Sequence, residues 1–380
     1  MITCDLIDAG TLDDRHIGRW HEMMAATPLF RSPVLSPEFV KAVAEVRDDV
    51  RIAVISRGPE VIAYLPHHRR PNHFARPAGA PFSDYSALIT FPDPGVAIGE
   101  VLEAAGIQRY HASGLVDPHG VFGDVQGEED EAFGMDLTAD ETVNNVNKKQ
   151  TKNINRLRRH LVEAHGELDF IIGDRDRDHF ERMLRLKREQ VRQNGLHDFL
   201  GAAWVKRFLD NLFAAPRNGL HGQLVTFTAG GKPTLFHFGV RLGDRAHPWI
   251  STYDPAYYSF SPGQIFLTDI QAPLKASGLV YYDLSTGQQH YKSSFCNTSF
   301  PVRHARFYSD APAARMNEKL AGLAGQAQKA LGPTADMAFT RLGRRVDQIA
   351  TLELDFLGRA RGVAYALSNA GKRWKATEHA

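Results

Sequence analysis

Cysteine is nearly absent from this chain, whose 380 residues include 2 cysteines, Cys4 and Cys296. So few thiols exclude a disulfide-stapled scaffold and a four-cysteine zinc site, and they fit a reducing compartment. The N-terminal segment lacks the apolar run of a signal peptide. No stretch approaches the ~18 apolar residues that a membrane-spanning helix requires. We therefore expect a cytoplasmic protein.

An excess of charge of one sign is also missing. The 45 Lys and Arg residues almost balance the 44 Asp and Glu residues, which gives a net charge of +1. This balance argues against a generic DNA-binding protein. The signatures of serine hydrolases, P-loop proteins and Rossmann dehydrogenases are lacking as well. No pair of histidines has the spacing of metal ligands on a helix, so we predict no metal site.

A weak internal repeat is the most informative feature that is present. Each copy reads as a helix, a hairpin around a glycine turn, a strand, a helix and a strand. The first copy has these elements at 36–43, 51–65, 86–90, 100–105 and 109–112. The second copy has them at 204–209, 223–240, 249–253, 267–271 and 280–283. Duplication explains the common order better than the alternative, two unrelated α/β halves.

The charge pattern changes abruptly between the two copies. Residues 128–141 are acidic, whereas residues 148–159 are basic and are followed by no acidic residue until after His160. Apolar residues at helical spacing predict an amphipathic basic helix here, with Ile154, Leu157, Leu161 and Val162 on one face. Its basic residues can contact ligand phosphates, and a solvated charged face is the alternative reading.

The composition divides the chain into three parts. We predict an N-terminal domain at 1–145, a second domain at 146–310 and a helical basic tail at 311–380, with a break near Gly332 and Pro333. Amphipathic helices that are rich in arginine can lie on an anionic membrane surface. The tail therefore predicts a peripheral contact with the inner face of the membrane.

The repeated unit resembles the Gcn5-related N-acyltransferase (GNAT) fold, and two such units in one chain resemble the Fem-type peptidyltransferases. The second copy is similar to the CelD/BcsL-type acetyltransferases of exopolysaccharide biosynthesis. This similarity rests on the order of four segments, namely the basic helix at 153–159, Ser261-Pro262-Gly263, Asp283-x-x-x-Gly287 and Tyr291-Lys292. The resemblance implies an α/β (α+β) fold of two tandem GNAT-like domains followed by the helical tail.

The resemblance also implies a function. It is the transfer of an acetyl or other acyl group from acyl-CoA to an amino group of a sugar in an exopolysaccharide precursor of the holdfast, capsule or cellulose type, which can be lipid-linked. The chain has residues 260–264 where ordinary GNAT enzymes carry a Gln/Arg-x-x-Gly-x-Gly/Ala loop. A Fem-type transferase that uses aminoacyl-tRNA, or a non-catalytic scaffold, is therefore the alternative.

Several residues are candidates for binding the acyl donor. A helix that begins after a serine and a proline offers free N–H groups and a positive dipole end to a phosphate, and a glycine there lets a ligand approach the backbone. A plain helix cap is the alternative. The resemblance further implies that the strand before this helix and the strand at 281–283 separate and bind the pantetheine arm. The candidates are Thr252, Tyr253, Ser261, Pro262, Gly263 and Gln264.

The candidates for catalysis follow the second of these strands. Asp283 can remove a proton from the acceptor amine or orient it, and an Asx turn is the alternative. Tyr291 can protonate the departing thiolate, or it packs as an aromatic. Lys292 can stabilise charge on the tetrahedral intermediate, or it is a surface lysine. For the acceptor we predict contacts with Arg156, Arg158 and Gln289.

Overall fold

The computed structural model describes residues 1–123, 127–139, 146–287, 290–354 and 356–368. Within these ranges thirteen strands form one continuous sheet. The strands are β1 (Thr3–Asp8), β2 (Val50–Arg57), β3 (Glu60–Arg70), β4 (Phe74–Pro77), β5 (Ile89–Thr90), β6 (Arg109–Leu115), β7 (Glu128–Asp136), β8 (Leu168–Ile172), β9 (His221–Ala229), β10 (Lys232–Leu242), β11 (Arg245–Tyr253), β12 (Tyr281–Thr286) and β13 (Thr298–Tyr308).

Helices cover both faces of this sheet and form the C-terminal tail. They are α1 (Asp14–Ala26), α2 (Pro37–Ala44), α3 (Ile98–Ala104), α4 (Lys148–His165), α5 (Arg177–Gln193), α6 (Ala203–Ala214), α7 (Pro262–Asp269), α8 (Gln271–Ala276), α9 (His290–Phe295), α10 (Pro312–Ala330), α11 (Pro333–Leu352) and α12 (Phe356–Ser368). Ser36 caps α2, because its hydroxyl accepts a hydrogen bond from the Phe39 N–H at 3.1 Å.

The sheet contains the same plan twice. Its strand order is β1-β2-β3-β4-β6-β13-β7-β12-β11-β10-β9-β8, and the short β5 also pairs with β3. Each half has one parallel contact, β4 with β6 and β11 with β12, whereas the hairpins β2–β3 and β9–β10 are antiparallel. A helix connects the parallel strands in each half, as such a crossover requires.

Two strands join the halves by crossing between them. β7 precedes the second copy in sequence but pairs with β12 of that copy, and β13 follows the second copy but pairs with β6 of the first. β7 and β13 also pair with each other along seven residue pairs. The halves therefore share one sheet, while the division at 145 and 310 stays a prediction.

Alternation along the strands separates two apolar layers in the second half. Leu224 and Phe236 pack with α5 and α6 on one face, whereas Val225 and Leu235 pack with α4 and α7 on the other. Helices α5 and α7 therefore lie on opposite faces of the sheet. Side chains of both helices could therefore contact a ligand that passed between two separated strands.

The first half departs from the predicted repeat at one strand. β4 pairs with residues 67–70 of β3 and β5 with Ala63 and Tyr64, so the two lie one after the other along β3. Residues 78–88 leave the sheet between them. The predicted strand at 86–90 is therefore wrong except for its last two residues, because Ser86 bridges to Leu115 instead of pairing with β3.

The predicted basic helix and the tail are both helical. In α4 the side chains of Ile154, Leu157 and Leu161 are buried, but Val162 is 39% exposed and is not part of the apolar face. In the tail, Gly332 separates α10 from α11 as predicted, with a φ of 94° that suits glycine.

Candidate active site

The strands β11 and β12 separate soon after they meet. They pair only at Arg245 with Tyr281 and at Ala246 with Tyr282. Beyond these two pairs β11 continues to Tyr253 and β12 to Thr286 without further pairing between them. A cavity of about 890 Å³ lies in this gap. Its walls come from both strands, from α5 on one face and from α7 on the other.

A bulge on each separated strand turns side chains into the gap. In β11, Trp249 has no partner in β10, because Phe238 pairs with Ile250 and Gly239 pairs with Pro248. A Cβ on Gly239 would lie 1.9 Å from the His247 carbonyl oxygen, so this close approach requires glycine. In β12 the pairing with β7 skips Leu284 and Ser285, and both line the cavity.

The start of α7 forms the end of the cavity nearest Tyr253. Ser261 adopts a left-handed conformation with a φ of 48°, and its hydroxyl makes no cap hydrogen bond, so its predicted capping role is wrong. Pro262 has no N–H, and the N–H of Gln264 already donates to the Ser261 carbonyl oxygen at 3.0 Å. Among these first residues the Gly263 N–H is the donor left for a phosphate.

Most of the predicted donor-binding residues line one cavity. Tyr253 and residues 261–264 all do so. Thr252 does not, because its side chain is 2% exposed within β11, where the residue pairs with Phe236. Because the resemblance implies that this strand binds the donor through its backbone groups, the predicted contact of Thr252 stays a prediction.

Lys292 lines the same cavity from α9, which follows β12. It is 7% exposed, and its Nζ donates to the Thr286 carbonyl oxygen at 2.5 Å. Burial lowers the pKa of Lys292, and the carboxylates of Asp84 and Asp283 oppose this effect. Tyr291 lies in α9, but its side chain is outside the described part of the structure, as is Gln289. Their predicted roles stay predictions.

Asp283 lies behind the cavity wall. It is 3% exposed and does not line the cavity. Its Oδ1 accepts hydrogen bonds from the Tyr85 hydroxyl and the Ser285 N–H, each at 2.7 Å. The second of these bonds is the Asx turn that the sequence left open. A carboxylate in this position can orient other groups but cannot contact the acceptor amine, which corrects its prediction as the base.

His247 lies between two carboxylates. Its side chain is fully buried, and its Nε2 lies 2.8 Å from Asp84 Oδ2. Its Nδ1 lies 3.3 Å from Asp283 Oδ2, where the charges attract although the N–H direction misses hydrogen-bond geometry. Burial alone would lower the pKa of His247, but Asp283 and Asp84 outweigh it and raise this pKa to about 10. The imidazole is therefore a cation at neutral pH.

Asp84 is the acidic residue of the cavity wall, and the first copy supplies it. It belongs to the excursion 78–88, as does Tyr85. Asp84 Oδ2 is close to His247 and accepts a second hydrogen bond from the Ser285 hydroxyl at 2.7 Å. Within the described residues Oδ1 has no protein partner, and the side chain is 26% exposed. This oxygen is available to a ligand.

The basic helix does not contribute to this cavity. The guanidinium of Arg158 bonds to Asp269 of α7, with Nε at 2.8 Å, and its Nη1 donates to Asn155. These contacts fix α4 to α7 and occupy the guanidinium of Arg158, whose predicted ligand contact stays a prediction. Arg156 is exposed, donates to Asn153, and lies outside the cavity wall.

The corresponding point of the first half is covered by the tail. There β4 and β6 pair only at Phe74 with Arg109 and at Ala75 with Tyr110. The next residues along the two strands are Arg76 and His111, and Asp347 of α11 contacts both.

Further contacts fix α11 over this point. Arg76 Nη1 donates to Asp347 Oδ2 and to the Thr351 hydroxyl, each at 2.8 Å. Arg70 donates to the Ala350 carbonyl oxygen at 2.8 Å, and the Trp204 indole N–H donates to that of Leu352 at 2.9 Å. Within the described residues, α11 thus covers the point where β4 and β6 separate, whereas the gap between β11 and β12 beside α7 is open.

Comparison with known proteins agrees with this geometry. Residues 148–293 match the family model described as Acetyltransferase (GNAT) domain. This segment of the chain is therefore similar to a GNAT acetyltransferase domain. This segment contains β11, α7 and β12, which form the gap, but not Asp84. No curated protein matches the chain.

The fold is similar to that of solved structures over about four fifths of the chain. FemX is similar at 9% identity and a TM-score of 0.51, over 78% of this chain and 98% of that one. A tandem GNAT protein from the clavulanic acid biosynthesis pathway is similar at 10% identity and a TM-score of 0.45, over 82% and 99%. The prediction of a tandem GNAT-like, Fem-like fold with C-terminal helices is confirmed.

Two further properties concern the described residues only. None of their helices combines the length and the apolar character needed to cross a membrane. Among them no group of three or more His, Cys, Asp or Glu side chains is placed to hold a metal ion. The predicted contact of the tail with a membrane surface stays a prediction.

Proposed function

We propose that the protein is an N-acyltransferase that moves an acetyl or larger acyl group from acyl-CoA to an amino group of a sugar in an exopolysaccharide precursor. The observation that carries this proposal is the open gap between β11 and β12, beside the start of α7. Strand edges without a partner can pair with the amides of an extended pantetheine arm, in the manner of an added strand. The Gly263 N–H at the helix start suits one phosphate oxygen of the donor.

The residues of the gap can divide the reaction between them. Acyl-CoA supplies an activated thioester carbonyl. Asp84 Oδ1 accepts a hydrogen bond from the acceptor ammonium and takes one proton, which leaves an amine with a free electron pair. The nitrogen attacks the carbonyl carbon, the new C–N bond forms and the C–S bond breaks. Lys292 gives a proton to the departing thiolate, and it recovers one as the amide nitrogen loses its second proton.

His247 and Ser285 support Asp84 in this scheme. Both bind its Oδ2, so the free Oδ1 is held at a fixed place in the cavity wall. The cation of His247 also lies between Asp84 and Asp283, which lets two carboxylates approach one another. A buried ion network of this kind can hold its geometry without help from solvent.

Cys296, the remaining candidate nucleophile, is poorly suited to covalent catalysis. Its properties therefore favour a direct transfer. Cys296 is 4% exposed, and burial raises the pKa of its thiol to about 12 against the opposing effect of Lys292. The thiol is therefore protonated at neutral pH and is a weak nucleophile. We propose attack by the amine within a ternary complex.

Binding of acetyl-CoA tests the donor site. A Cβ on Gly263 would contact only Leu235 Cδ1, at 3.9 Å, so Gly263→Ala fits and is the control. Gly263→Trp places an indole in the cavity. We expect calorimetry to show one acetyl-CoA bound to the wild type and to Gly263→Ala, and a loss of at least tenfold in affinity in Gly263→Trp. Equal affinity in all three proteins would place the donor elsewhere.

A second candidate function rests on α4. This helix exposes Lys148, Lys149, Lys152, Arg156 and Arg159 along one side, which suits the phosphates of a tRNA. A Fem-type transferase would bind aminoacyl-tRNA in place of acyl-CoA. Filter binding with charged tRNA, alongside the calorimetry, distinguishes the two donors. A protein that binds neither donor fits the scaffold alternative.

A further inference from the structure

Lys187 of α5 lines the cavity without a carboxylate partner. Its Nζ donates to the Ser251 carbonyl oxygen of β11 at 3.1 Å and to Gln190 Oε1 at 3.2 Å. Among the described residues no acidic group lies within ion-pair distance of it. An ammonium has three N–H donors, so one remains for a ligand.

The arginines on this helix differ from Lys187. Arg177, Arg182, Arg188 and Arg192 each contact an aspartate, and Arg185 is exposed to solvent. Lys187 is more buried than a surface lysine, and burial lowers its pKa with no carboxylate to oppose the effect. A half-buried cation without a counter-ion is costly in the free protein. Such a cation in a cavity points to an anion that a ligand brings.

The position of Lys187 indicates which ligand carries this anion. The diphosphate of the donor is proposed to lie at the start of α7, on the face of the sheet that contains Leu235. Helix α5 lies on the opposite face, with Phe236. Lys187 reaches the gap from that opposite face, from which the acceptor must approach the thioester.

The charges around this part of the cavity complete the argument. Asp84 is its acidic residue, and His237 is buried with a pKa lowered to about 3, so the imidazole is neutral. Lys292 also lines the cavity and donates to the Thr286 carbonyl oxygen. Besides Lys292, the wall thus presents the Asp84 carboxylate oxygen for an ammonium and, separately, the Lys187 ammonium for an anion. A ligand complementary to both carries an amine and an anionic oxygen group.

We infer that Lys187 and Gln190 form a subsite for an anionic oxygen group of the acceptor, so that the acceptor is an amino sugar that also carries a phosphate or a carboxylate. This inference rests on the proposed function, because it takes the donor to lie at α7. The lysine would bind the anion as a point charge, and the Gln190 amide would add a hydrogen-bond donor. The subsite sets specificity and takes no part in bond formation.

Acceptor preference tests this inference in the full chain. We would compare glucosamine with glucosamine 1-phosphate, glucosamine 6-phosphate and muramic acid, which separates phosphate from carboxylate. We expect the wild type to favour at least one anionic acceptor over glucosamine by tenfold or more in kcat/KM. Lys187→Met should abolish this preference through KM, whereas Lys187→Arg should retain most of it. Lys206→Met, at an exposed lysine of α6, is the matched control.

Three outcomes would overturn the inference. The first is a wild type that acetylates glucosamine as well as every anionic acceptor. The second is a Lys187→Met protein that keeps the preference. The third is a Lys187→Met protein that loses affinity for acetyl-CoA, which would assign the lysine to the donor.

The proposed function can fail separately, through a lack of acetyl-CoA binding. Calorimetry of the anionic acceptors alone then decides the inference. A heat of binding that Lys187→Met loses supports the subsite, and an equal or absent heat contradicts it.

Discussion

Asp84 Oδ2 lies 2.8 Å from His247 Nε2, although 163 residues separate the two in sequence. The aspartate comes from the excursion 78–88 of the first half and the histidine from β11 of the second. One half of the duplicated fold therefore completes the cavity of the other. Activity therefore requires the two halves to be correctly positioned relative to each other. This requirement is additional to the contribution of their packing to the core.

Replacement of Asp84 tests this dependence directly. Asp84→Asn keeps the shape of the side chain but removes the charge that binds the acceptor ammonium and accepts its proton. We expect kcat to fall by 10²-fold or more, as for loss of a general base, with acetyl-CoA affinity within a factor of three. Steady-state kinetics and calorimetry measure the two effects. Asp93→Asn, at an exposed aspartate of the same half, should behave as the wild type.

The approach of the excursion to β6 depends on one glycine. A Cβ on Gly114 would lie 1.8 Å from the Asp84 carbonyl oxygen. Gly114→Ala should therefore displace Asp84 and reduce kcat, while the donor site stays intact. Gly106→Ala is the control, because that residue also has a positive φ but nothing lies within 4 Å of its added Cβ. Equal rates in the two variants would show that the position of Asp84 does not matter.

Part of this site could be predicted from the sequence because its residues lie within one copy of the repeat. The order Tyr253, Ser261-Pro262-Gly263 and Lys292 follows one copy of the repeat, and β11, α7 and β12 bring these residues to one cavity. Asp283 was singled out from its place at a strand end, but its burial behind His247 depends on Tyr85. A pattern read within one copy does not contain that contact.

The residues that the sequence analysis missed are those that make contacts between the two halves. Asp84 lies two residues before the predicted strand at 86–90, and His247 lies two residues before Trp249, the unpaired residue of a bulge that no local pattern marks. The Ser-Asp-Tyr-Ser run at 83–86 was the available signal, since polar residues lead directly into the predicted strand at 86–90. The exchange of β7 and β13 was missed for the same reason, because pairing partners far apart in sequence leave no periodic trace.

The charge state of His247 predicts how stability depends on pH. Its pKa is raised from 6.5 to about 10 in the folded protein, so the stabilisation is fully present below pH 6.5 and is lost as the pH rises through 10. His247→Gln should be less stable than the wild type by a few kcal/mol at pH 6, and the gap should close toward pH 10. Urea denaturation across this range measures the gap.

The same series needs a surface control. His21→Gln removes an exposed histidine that contacts Glu38 and should follow the wild type at every pH. A gap between His247→Gln and the wild type that stays constant from pH 6 to pH 10 would mean that the imidazole is not a cation in the fold.

Cys296 provides a test of the direct transfer. Its thiol is buried and has a raised pKa, so a covalent acyl-cysteine should not form. Cys296→Ala should keep turnover within about threefold, although the small cavity left behind can cost about 1 kcal/mol of stability. Double-reciprocal plots should intersect, as for a ternary complex. Parallel lines, together with an inactive Cys296→Ala protein that binds acetyl-CoA normally, would support a cysteine nucleophile instead.

The contact of Asp347 with Arg76 predicts what the tail contributes to the fold. Burial raises the pKa of Asp347, but His111 and Arg76 outweigh it and hold this pKa well below its usual range. The stabilisation is therefore present above pH ~4 and is lost as the pH falls. Asp347→Asn should lower the free energy of unfolding by about 1–2 kcal/mol at pH 7. This is less than the about 3–5 kcal/mol of a fully buried pair, because a third of the side chain is exposed.

Denaturation of Asp347→Asn at pH 7 and pH 3 measures this difference, which should shrink at the lower pH. Asp310→Asn is the matched control, because it breaks the exposed pair with Arg315 and should cost no more than about 0.5 kcal/mol. Since α11 covers the point where β4 and β6 separate, the wild type and both variants should still bind a single acetyl-CoA at the second half. A second molecule bound by Asp347→Asn alone would show that the tail closes a usable site in the first half.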